Sequence, residues 1–67
     1  MNDYKTYREL IDNVVYLIIN KEDFNEAAKI LIYYNISISK LLRLTYKISC
    51  LNIAKLTDEI IKINRGM

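Results

Sequence analysis

An all-α fold, a compact bundle of three to four short helices in a single domain, is what this sequence predicts. Three observations carry that reading. The chain has 67 residues, too few for a second core, since a chain of this size buries only about 60% of the surface its unfolded form exposes. It contains one Gly and no Pro, so almost nothing breaks a helix and little is left for tight turns. Its apolar residues, 52% of the total with Tyr counted, recur at the three-to-four-residue spacing of amphipathic helices. With charged residues of mixed sign at 27% and an abundance of Ile, there is enough apolar surface to offset the entropy of ordering the chain.

The first helix is expected from about Tyr4 to Ile19, with Asn2 or Asp3 as its N-cap and Asn20 beyond its end. Tyr4, Tyr7, Leu10, Ile11, Val14, Val15, Leu17 and Ile18 share one arc, while Lys5, Arg8, Glu9, Asp12 and Asn13 lie opposite. A second helix, about Glu22 to Tyr34, opens on Glu22, Asp23 and Glu26, acids suited to the positive end of a helix dipole. Phe24, Ala27, Ala28, Leu31 and Tyr34 form its inner face, and Asn35 ends it. Ser37 or Ser39 caps a third helix reaching to about Ile48, whose inward residues are Ile38, Leu41, Leu42, Leu44 and Ile48. The fourth spans roughly Leu51 to Asn64 with Ile53, Leu56, Ile60 and Ile63 in one stripe. Ser49 or Asn52 caps it, and Arg65 and Gly66 close it. Ser49, Cys50 and Asn52 weaken a helix without forbidding it, so the last two helices are either separate or one bent rod.

Composition narrows the function. There is no His, which removes the commonest general base and the commonest transition-metal ligand together. One Cys makes neither a zinc site nor an internal disulfide, and Cys50 reads as a small core or boundary residue. Gly66 alone builds no phosphate-binding loop. The carboxylate clusters at Glu22, Asp23 and Glu26 and at Asp58 and Glu59 fall on solvent-facing helix positions, the ordinary place for a solvated face. The expectation is therefore a protein that is not an enzyme and takes no cofactor, metal or small-molecule substrate. Met1 reads as the natural start of an unexported chain, and the longest apolar run, Val14 to Ile19, is six residues against the roughly 20 that span a bilayer. A cytoplasmic location without membrane partners is the corresponding expectation. A membrane-surface helix fits poorly, because the first helix mixes charge signs on its polar face.

Two binding signals remain. Tyr16, Ile19, Ile32, Tyr33 and Ile61 point away from the helices' apolar arcs, which predicts an apolar protein interface, most simply between two copies of the chain. Six tyrosines fit that reading, since Tyr joins a large contact area to a polar tip. A dimerising accessory, inhibitor or regulatory protein of the kind phages and mobile elements encode matches this description. The second signal is charge: residues 1 to 34 hold four basic and six acidic side chains, whereas residues 35 to 67 hold six basic and two acidic. The C-terminal half thus carries +4 and presents Lys40, Arg43 and Lys47 on one expected helix face, with Lys55, Lys62 and Arg65 following. The overall charge of +2 is still only mildly basic for a nucleic-acid binder.

The run Ile36-Ser37-Ile38-Ser39-Lys40-Leu41-Leu42-Arg43-Leu44, then Ile48-Ser49 and a further helix, resembles a helix-turn-helix of the sort in the C-terminal DNA-binding domain of sigma factors. The resemblance covers less than half the chain. It implies a first helix from Ser39 to Tyr46, a recognition helix from Cys50 to Ile63, and Asn52 and Lys55 as base or phosphate contacts. Leu42 stands where a small residue is usual, Tyr46 or Lys47 stands where the turn usually has Gly, and Asp58 and Glu59 on the recognition helix repel phosphates. A small DNA-binding regulator is thus the alternative to the protein-binding module.

Overall fold

Thr6 starts the first helix by taking the Glu9 amide on its hydroxyl at 3.2 Å, and the chain then winds as α1, Tyr7–Ile19. The computed structural model describes residues 6 to 66; Asn2, Asp3, Tyr4 and Lys5, and the N-cap expected among them, lie outside that range. α1 ends at Asn20, and after a residue with positive φ, Glu22, the Asp23 amide donates back to the Leu17 carbonyl at 2.9 Å. The same Asp23 accepts the Glu26 amide on its carboxylate at 3.1 Å and so opens α2, Phe24–Tyr33. One residue closes one helix and starts the next.

Asn35 terminates α2 as its sequence position suggests. With φ at 57° it occupies the left-handed region that Asn tolerates, and the Asn35 and Ile36 amides return to the carbonyls of Ile32 and Leu31. This is the Schellman pattern, completed by buried Ile36 against buried Leu31. Ser37 then caps α3, Ile38–Leu44, through the Lys40 amide. α3 stops four residues short of the expected Ile48. Thr45 adopts extended backbone and its hydroxyl takes the Lys47 amide at 3.2 Å, a local hydrogen bond that competes with the helix. Ser49 caps α4, Cys50–Gly66, by accepting the Asn52 amide. The last two helices are therefore separate, joined by residues 45 to 49, and Gly66 lies in the final turn of α4 instead of beyond it.

Helix α2 is central, packed against α4 on one side and α1 on the other. That position explains a broader buried arc than one-sided amphipathicity predicts: Ile30 joins Ala27, Ala28 and Leu31 in the core. The core is completed by Leu10, Ile11, Val14, Val15 and Ile18 of α1, Leu41 of α3, Ile48 of the link and Leu56 of α4, with Ile53, Ile60 and Ile63 half-buried beside it. Three residues expected inside stand outside. Tyr7 is 43% exposed because its end of α1 meets Lys40 of α3 and not the core. Leu42 and Leu44 are exposed because two turns of α3 present only Leu41 squarely inward. Cys50, expected at the core or its boundary, is exposed at the first position of α4. The Cα radius of gyration, 11.0 Å, matches the about 11 Å of a compact 67-residue domain. Among the described residues there is no strand, and no helix is long and apolar enough to cross a membrane.

Candidate functional site

The surface residues singled out by sequence project from three helices. Tyr16 and Ile19 sit one turn apart on the exposed side of α1, where the Lys21 ammonium lies 6.0 Å from the Tyr16 ring centre. Tyr33, in the last turn of α2, is 67% exposed and stands edge-on to the half-buried Tyr34, with ring centres 4.9 Å apart. Ile61 faces outward from α4. Ile32 departs from the expectation: it is half-buried and lines an open groove with Ile36, Ile38, Ile60 and Asn64, because the α2–α3 turn and the end of α4 flank it. Four of the five thus present large apolar or aromatic surface to water, an unusual load for so small a chain.

The basic residues do not form the single stripe expected of them. α3 ends before Lys47, which belongs to the link, while Lys40 directs its ammonium over the Tyr7 ring at 4.9 Å. Arg43 remains exposed in the last turn of α3, where a cation complements the negative end of the helix dipole. On α4, Lys55 lies over the Phe24 ring at 5.6 Å, and Lys62 pairs with Glu59 at 3.5 Å and Asp58 at 4.0 Å. Glu59 also accepts from the Asn25 amide nitrogen at 3.3 Å, which ties α4 to α2. Asn52 is half-buried in the first turn. These contacts are surface contacts worth at most about 1 kcal/mol each.

The helix-turn-helix resemblance meets a geometry that differs from its template. The start at Cys50 agrees, but α3 ends at Leu44, two residues before Tyr46, and a five-residue link, residues 45 to 49, replaces the tight turn. α4 packs chiefly along α2, whereas the motif requires its second helix to pack across its first at a turn of about three to four residues.

One feature was not legible in the sequence. Tyr7, Arg8, Ile11, Asp12 and Val15 of α1 face Leu44, Thr45, Tyr46 and Lys47 across a cleft of about 300 Å³. Tyr46 at its lip is 99% exposed. The sequence places Tyr46 within the third helix and carries only a faint signal for the cleft, a stretch with no acidic residue from Ala27 to Thr57. Comparison with known proteins adds nothing to this picture, as no protein-family model, curated protein or solved structure matches the chain.

Proposed function

We propose that this chain is a non-catalytic protein–protein interaction module that associates with a second copy of itself through the outward Tyr and Ile side chains of α2 and α4. The observation that carries this reading is the exposure of Tyr33 and Ile61, with Tyr16 and Ile19 adding apolar surface on α1. Apolar area removed from water contributes roughly 25 cal/mol per Å², so each outward side chain that a second copy covers adds to the driving force in proportion to the area buried. A small core gains the stability it lacks by association. Tyr33→Ala and Ile61→Asp are expected to shift size-exclusion elution toward the monomer while helical circular dichroism stays unchanged. Unaltered elution in both variants contradicts the proposal.

A second reading, a DNA-binding regulator, draws on the acid-free stretch from Ala27 to Thr57, which holds Lys29, Lys40, Arg43, Lys47 and Lys55. It requires duplex binding that weakens steeply with salt and disappears when Lys40 and Arg43 are both changed to Glu.

A further inference from the structure

The cleft between α1 and the link offers a surface separate from Tyr33 and Ile61. Tyr7, Ile11 and Val15 follow one another at four-residue intervals along its α1 side, roughly 12 Å from end to end, with Tyr7 giving exposed ring surface and the core residues Ile11 and Val15 only their edges. Leu44 supplies apolar surface opposite, and Tyr46, with 99% of its surface in water, stands at the open edge. At about 300 Å³ the space lies at the small end of the roughly 300–1,000 Å³ of ligand pockets, a size suited to one anchoring side chain. Its charged residues are unequal. Arg8 and Lys47 line it, and the Lys40 ammonium stands 4.9 Å above the ring of Tyr7 at one end. Asp12 is the single carboxylate among the lining residues.

From this combination we infer that the cleft binds a short acidic segment of a partner protein, with a large apolar side chain seated against the exposed surfaces of Tyr7 and Leu44. Carboxylates beside that anchor meet Arg8 and Lys47, and Tyr46 folds its ring against it. A nucleic acid is the poorer occupant: its phosphates satisfy the cations but leave the apolar surface of Tyr7 and Leu44 uncovered. Charge complementarity of this sort sets orientation and on-rate, while the buried anchor supplies most of the affinity.

The test is selection of a random displayed-peptide library on the full chain, followed by binding of the enriched peptide to variants. The expected consensus is a large apolar residue with Asp or Glu within one helical turn of it. Tyr46→Ala and Lys47→Glu, both at exposed positions, should each weaken that peptide about ten-fold or more with helicity unchanged. Ile61→Asp should leave it unaffected, which separates failure here from failure of the self-association reading. A selection without enrichment, a consensus without acids, binding indifferent to both cleft variants, or displacement of the peptide by a DNA duplex each overturns the inference.

Discussion

Only Leu56 among the seventeen residues of α4 is fully buried, and it meets a core whose other large, fully enclosed members are Ile18, Leu31, Leu41 and Val14. Leu56→Ala is expected to cost about 2–5 kcal/mol, by lost transfer energy and the cavity left behind, read as a lowered urea midpoint. The same change at exposed Leu51, one residue into the helix, should stay within about 0.5 kcal/mol. A Leu51 variant as damaging as the Leu56 variant contradicts the assignment of which face of α4 is inside. Residue-scale burial was legible wherever a residue sits mid-helix on a clean arc, as at Leu10, Val14 and Leu56. It was not legible at Tyr7, whose apolar ring is diverted to Lys40, nor at Ile30, whose burial depends on a second helix packing from the other side. No pattern within one helix encodes its neighbours.

At the scale of elements, local chemistry sets the boundaries. Asp23, Ser37 and Ser49 each take the amide three residues on, and Asn35 holds the left-handed position that ends α2. Such signals act over three or four residues, which is why the ends near Asn35, Ser37 and Ser49 are readable in sequence. The end of α3 is not, because Leu44, Thr45 and Tyr46 carry no Gly or Pro and the one local feature at the break is the Thr45 hydroxyl that takes the Lys47 amide. Asn35→Ala is expected to cost about 1–2 kcal/mol for forcing a β-carbon into the left-handed region, whereas Asn35→Gly should be nearly neutral. Asp23→Ala should cost about 1 kcal/mol by removing the cap of α2. Thermal unfolding followed by circular dichroism checks all three; equal melting temperatures for the Ala and Gly variants at position 35 contradict the Schellman assignment.

At the scale of the whole molecule, the four helices among the described residues leave the large side chains of so short a chain few places to hide. The short α3 buries one Leu, and Tyr16, Ile19, Tyr33, Tyr46 and Ile61 all remain outward. Helical phase alone marks Tyr16, Ile19, Tyr33 and Ile61 as outward, while Tyr46 and its cleft depend on how α1 lies against the link and have no signature along the chain. Charge follows the same division, with the acid-free stretch running through α3, the link and the start of α4. The proposed function is surface association, with Tyr33 and Ile61 meeting a second copy and a partner segment held in the cleft.

Self-association is tested by the solution mass of the wild-type chain by light scattering across a concentration series, alone and with a DNA duplex at low salt. The expected result is a mass rising from about 8 kDa toward twice that value with increasing concentration, unaffected by the duplex. A mass fixed at the monomer throughout, together with a salt-sensitive complex on the duplex, would contradict it.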